Sequence, residues 1–174
     1  MQLGIAVHSS IPSKEAEEKV KRFIESLTCK PRILLGGYWG LMRVIADEAI
    51  SRGLQVVMFL PVEREDVKIP SEVIRVNTGC EYRCRSVMLV RSSDVLVSLG
   101  GGVGTLIEIA MAYAMGKPTF VLVDTRMPTD ELRKAYPRHF DDRAVVDIKY
   151  FSEPDKLAKV VCSEEFTTVK TDFG

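Results

Sequence analysis

Two glycine-rich segments hold the residue types and spacings most suited to chemistry. In Gly100-Gly101-Gly102-Val103-Gly104-Thr105, four glycines follow the apolar run Val95-Leu96-Val97-Ser98-Leu99 and precede a segment of helical period. Such a turn closes tightly and presents bare N–H groups to an anion, and the helix behind it adds the positive end of its dipole. A phosphate is the expected occupant, held by Gly101, Gly102, Gly104 and Thr105. Gly36-Gly37-Tyr38-Trp39-Gly40 and His8-Ser9-Ser10 follow two other apolar runs, so Gly36, Gly37, Ser9 and His8 are expected to line the same wall. Glu108, four residues past Gly104, would face that mouth with its carboxylate, or else Thr105-x-x-Glu108 forms a capping box that only satisfies backbone. Arg85 either reaches the site or belongs to the surface with Arg83 and Arg91. Tyr38 and Trp39 suit stacking on a base or covering a contact between subunits.

Several chemistries are excluded by spacing. A P-loop requires Lys and then Ser or Thr after its last glycine, but Thr105 and Leu106 follow Gly104. The dinucleotide pattern G-x-G-x-x-G fails because Thr105 or Ile107 stands where its third glycine belongs. Neither NAD nor any other cofactor is therefore expected. His8 and His139 are the only histidines, and no C-x-x-C or H-E-x-x-H spacing occurs, so no metal is expected either. Cys80 and Cys84 share a helical face at i, i+4, and packing is the expected role of these thiols. Met42, Met88, Met111 and Met115 are expected in the core.

These segments need elements to position them. Short runs rich in Val, Ile and Leu alternate with segments of helical period, the pattern of buried parallel strands joined by helices. Strands are expected at 3–7, 32–35, 55–60, 73–76, 95–99, 119–123 and 144–148. Helices are expected at 14–27 with Ser13 as N-cap, 41–52 ending at Gly53, 81–92, 106–115 and 153–162. Right-handed crossovers then give a Rossmann-like, doubly wound α/β fold, a mostly parallel sheet of about seven strands with helices on both faces. Ligands of such sheets bind beyond the carboxyl ends of the strands, where the segments above lie. Residues 126–143 read as a short helix in a long surface connection, a lid or a solvated loop.

The 174 residues, 46% hydrophobic, suit one domain over 1–174. With 24 basic and 24 acidic side chains, there is no bulk attraction for a nucleic acid polymer or an anionic membrane. No apolar run reaches the roughly 18–20 residues of a spanning helix, and a cytoplasmic protein with reduced cysteines is expected.

The stretch from Arg85-Ser86-Val87-Met88 through Ser93-Asp94-Val95-Leu96-Val97-Ser98-Leu99-Gly100-Gly101-Gly102-Val103-Gly104-Thr105-Leu106-Ile107-Glu108 resembles the R-K…(S/A)-D-x-x-I-x-L-P-G-G-x-G-T-x-x-E region of the LONELY GUY (LOG) family. Gly36-Gly37-Tyr38-Trp39-Gly40-Leu41-Met42 is similar to its G-G-x-x-G-L-M turn. The resemblance covers roughly the first 125 residues. Members were long labelled lysine decarboxylases, yet no lysine setting for pyridoxal phosphate is visible. The activity the resemblance implies is hydrolysis of nucleoside 5′-monophosphates to free base and ribose 5-phosphate, with Arg85 and Glu108 catalytic.

Gly100 replaces the motif proline, Ser86 the lysine and Arg43 a glycine. These departures resemble the G-G-G-x-G-T branch, which includes molybdenum-cofactor carriers. The alternative it implies is a non-catalytic binding or carrier protein for a phosphorylated ligand such as molybdenum cofactor. In both readings the partner is a small phosphorylated, nucleotide-like ligand. The family likeness implies a homo-oligomer, dimer first, for which Met111, Ala112, Tyr113 and Met115 offer apolar surface.

Overall fold

The computed structural model describes residues 1–171. Seven strands, β1 (Gln2–Ala6), β2 (Arg32–Leu35), β3 (Val56–Leu60), β4 (Ile74–Asn77), β5 (Val95–Ser98), β6 (Thr119–Leu122) and β7 (Ile148–Phe151), form one sheet in the order β4-β3-β2-β1-β5-β6-β7. Every pairing is parallel. The helices α1 (Lys14–Glu25), α2 (Gly40–Ser51), α3 (Tyr82–Ser92), α4 (Val103–Ala114) and α5 (Leu132–Ala135) fall in the connections, and α6 (Pro154–Ser163) follows β7. This is the Rossmann-like α/β architecture expected of the alternating pattern.

Successive strand residues point to opposite faces, so each inner strand must be apolar on both sides. Leu3, Ile5, Ile33, Leu35, Val56 and Met58 pack with Val20, Phe23 and Ile24 of α1, Ile45 and Ala49 of α2, and Leu157 and Val161 of α6. Ala6, Leu34, Val57, Leu96 and Val121 pack with Leu89 and Val90 of α3 and Ile109, Ala112 and Tyr113 of α4. At α1 the Ser13 side chain accepts from the Ala16 N–H, as its position before the apolar stripe predicts.

The chain builds outward from β1 to β4, then returns to place β5 on the free side of β1. Such a reversal opens a crevice between the loops leaving β1 and β5, and His8-Ser9 and the glycine turn occupy its two sides.

Four expectations change. The run 144–148 forms a strand only from Ile148, because Ala144 turns back at φ 48° and the Val145 N–H donates to the Tyr113 hydroxyl. Residues 126–143 hold a short helix in a mostly exposed connection, as expected, but the segment is anchored rather than merely solvated: Thr129 is fully buried, its N–H donating to the Gly101 carbonyl. All four cysteines are paired, Cys29 with Cys162 and Cys80 with Cys84, instead of serving as free packing thiols. Met42 lies in the core, whereas Met88 is 36% exposed and Met111 and Met115 are half-buried. No helix among the described residues is long and apolar enough to cross a membrane.

Candidate functional site

Backbone hydrogen bonds join the three loops at the crevice. The His8 N–H donates to the Gly100 carbonyl at 2.9 Å, and the His8 carbonyl accepts from the Leu41 N–H at 3.2 Å. The turn after β5, with Gly100 at φ 99°, leads straight into α4. Gly102 is the N-cap residue and contributes no side chain, so the first-turn amides of α4 have no capping partner. Thr105 therefore lies inside the helix rather than at its cap, and the capping-box reading of Thr105 and Glu108 fails.

The opposite wall comes from α3. Glu81 caps it by accepting from the Arg83 and Cys84 N–H groups, both at 2.7 Å, and the Cys80–Cys84 disulfide brackets that turn. Arg85 and Ser86 of α3 then face α4, while Arg91 lies on the surface.

Around these elements lies a cavity of about 470 Å³, within the range of small-molecule sites. Of the residues singled out by sequence, His8, Ser9, Gly36, Arg85, Gly102, Gly104, Thr105 and Glu108 line it, and Trp39 does too. Two do not. The Gly101 N–H is already taken by the Thr129 hydroxyl at 3.1 Å, so it is not a free anion donor. Gly37 instead lies under the Trp39 ring. Tyr38 also stays outside, its hydroxyl on Asp47 at 2.6 Å, and His139 is bound to Asp147 at 2.8 Å, away from the cavity.

Glu108 is 7% exposed, and its burial pushes the carboxyl above its ordinary value of 4.5, with the Arg85 charge and the Ser86 hydroxyl opposing. Ser86 Oγ lies 2.8 Å from Glu108 Oε1 and 3.1 Å from the Tyr82 carbonyl. A hydroxyl has one proton for these two acceptors. It can donate to an ionised Glu108, or donate to the Tyr82 carbonyl while accepting a hydrogen bond from a neutral Glu108, so both protonation states have a partner.

Arg85 is 8% exposed, and burial lowers its pKa while the Glu108 carboxylate raises it. Its Nε is buried without a hydrogen-bond partner. The guanidinium lies against Gly36, where a side-chain Cβ would come within 1.2 Å of Nη1. Only a residue without Cβ leaves room for it. Arg64, Arg83 and Arg85 line the cavity with Glu108 as the single acid among the described residues, so the cleft is positive in a chain with no net charge. Arg64 sits 5.6 Å over the Trp39 ring, with Nε 3.4 Å from the Tyr82 hydroxyl.

Sequence reasoning missed Arg64, Tyr82, Arg83, Ser86 and Met42 as lining residues. Arg83 and Ser86 were within reach, being two residues before and one after Arg85 on a helix. Arg64 arrives from the short helix Val62–Arg64 beyond β3, and no local pattern ties it to the others.

The SLOG cluster4 family model matches residues 2–156. The chain belongs to the SLOG cluster4 family. This places it within the LOG-like superfamily that its glycine turn and Arg85 segment resemble. An uncharacterised protein of Archaeoglobus fulgidus is 37% identical over 122 residues, covering 67% of this SLOG cluster4 chain and 76% of the relative. The solved structure of TM1055, a structural-genomics target, superposes with a TM-score of 0.79 at 26% identity, covering 92% of this chain and 98% of that one. The molybdenum cofactor binding protein of Rippkaea orientalis has the same fold, with a TM-score of 0.73 at 21% identity over 92% of this chain and 94% of its own.

Proposed function

We propose that this SLOG cluster4 protein binds a phosphorylated nucleotide-like ligand and hydrolyses the N-glycosidic bond of nucleoside 5′-monophosphates, releasing free base and ribose 5-phosphate. The observation that carries this reading is the buried Glu108 carboxyl, held between Ser86 and the Arg85 charge in the cavity that the open end of α4 faces.

The uncapped amides at Gly104 and Thr105 would take the 5′-phosphate. The ribose would then lie towards Glu108, which lines the same cavity. As the C1′–N bond breaks, its electron pair leaves on the base nitrogen and positive charge grows on the ribose, which the carboxylate stabilises. The hydroxyl of water ends on C1′ and its other proton on the base nitrogen, with Glu108 carrying that proton between them. Arg85 stabilises phosphate or leaving base by charge-assisted hydrogen bonds from a guanidinium with capacity unused. Ser9 and His8 complete the wall. No lysine lines the cavity among the described residues, which speaks against lysine decarboxylation by pyridoxal phosphate.

A second reading, a carrier that binds without turnover, is favoured by one substitution: Ser86 stands where the LOG motif has lysine, removing a cation from beside the carboxylate. Incubation with AMP and the other monophosphates, followed by assay of ribose 5-phosphate, separates the two. Wild type is expected to release sugar phosphate, and Glu108→Gln to lose at least about 100-fold in rate, the size of a general acid–base contribution. Tight binding of AMP with no release overturns hydrolysis and leaves the carrier.

A further inference from the structure

We infer that Arg83, which nothing in the glycine motif includes, is a specificity-determining residue that makes this site select a dianionic phosphomonoester over a monoanionic diester. The inference rests on the proposed phosphorylated ligand but not on its hydrolysis. Arg83 lines the cavity from the first turn of α3, and a Cβ placed on Gly104 would lie 3.2 Å from its Nη1. Its guanidinium therefore hangs over the N-terminal end of α4. Its side chain forms no hydrogen bond or ion pair among the described residues. Glu81, its nearest acidic neighbour in sequence, attracts it electrostatically but forms no ion pair with it, both carboxylate oxygens being committed to the α3 cap.

A cation at a helix N-terminus is in the unfavourable place, since the dipole there is positive. A second cation makes it worse: Arg83 lowers the pKa of Arg85, so the two guanidiniums repel each other. The independent sign that something belongs between them is Arg85, a side chain more than nine-tenths buried that lines the same cavity with an unpartnered Nε. Two guanidiniums and an uncapped helix end converge on one place, with Glu108 as the only carboxylate at the cavity wall among the described residues. One negative charge leaves this excess uncompensated, whereas a terminal phosphate at neutral pH carries about −1.5 to −2. Arg83 is exposed and reaches in from the rim, so it distinguishes ligands by charge without forming the floor of the site.

The test uses Trp39, the single tryptophan and a lining residue, as a fluorescence reporter. Adenosine, AMP and the methyl phosphodiester of AMP are titrated into Glu108→Gln protein, in which turnover does not deplete the ligand. AMP is expected to bind about tenfold more tightly than its methyl ester, the scale of one charge-assisted contact at a partly exposed site. Adding Arg83→Gln should collapse that ratio towards one while leaving adenosine unchanged, and Arg83→Lys should restore part of it. The exposed position makes folding failure no obstacle, and circular dichroism verifies it. The inference is overturned if Arg83→Gln preserves the ratio, if all three ligands weaken equally, or if no AMP binding is found. Failure of hydrolysis with an Arg83-dependent ratio intact sinks only the reaction, not the selectivity.

Discussion

In the proposed reaction Glu108 would trade stability for function. Its folded pKa lies above the ordinary 4.5 because burial penalises the charged form. The folded chain thus holds this proton more tightly than the unfolded one. The resulting stabilisation is fully present below the unfolded pKa and disappears as pH rises through the folded value. Glu108→Gln is therefore expected to melt higher than wild type at pH 7 to 8, with the difference shrinking towards pH 4, while losing turnover. Calorimetry across pH checks it, and a lower midpoint at neutral pH contradicts the burial argument. Ser86→Ala removes the hydroxyl that partners the ionised carboxylate. Since that hydrogen bond holds the carboxyl pKa down, the rise of kcat with pH should move to higher pH in the variant. Gly36→Ala drives a methyl into the Arg85 guanidinium. Since the far end of a long side chain gives way easily, AMP affinity should fall about tenfold with little change in melting.

Among the elements, the turn between β5 and α4 depends on a distant strut. Thr129 receives the Gly101 N–H and returns its own to the Gly101 carbonyl, both deep in the protein. Thr129→Val keeps the shape and removes the acceptor, leaving a buried amide unpaired at a cost of about 1–3 kcal/mol. Chemical denaturation should show that loss together with weaker AMP binding. Full stability would mean that the Gly101 amide finds another acceptor. The glycine run was legible as a tight turn leading into a helix, but which of its amides remain free was not, because Thr129 comes from a segment 28 residues away. Helix bounds were legible where a cap was local, as at Ser13. At α4 the start came three residues before the 106–115 expectation, since a helix without a capping side chain leaves no mark at its N-terminus.

Over the whole molecule, the Cys29–Cys162 bond ties the loop after α1 to the last turn of α6 across a sequence separation of 133. Closing so long a loop restricts the unfolded chain, an effect of about 2–4 kcal/mol. Reduction, or Cys29→Ser with Cys162→Ser, should lower the melting temperature by several degrees, and an unchanged value would remove that role. The surface proposed for a dimer also shifts. Ala112 and Tyr113 are buried in their own core and Met111 and Met115 are half-buried against it, whereas Val87, Met88 and Val103 are exposed on α3 and α4. A dimer through that face, which we keep as a proposal, predicts a particle near twice 19.5 kDa in light scattering.

The sequence by itself determined the alternation of strand and helix, the doubly wound class and the glycine turn, because apolar period and backbone freedom are properties of neighbouring residues. Tertiary structure alone decided that Arg85 lies against Gly36, that Ser86 shares its proton between Glu108 and Tyr82, and that Arg64 and Arg83 join one positive cleft. Those relations arise from the reversal of strand order at β1 and β5. It brings residues from five separate connections to one crevice, and no local pattern records the distance between them.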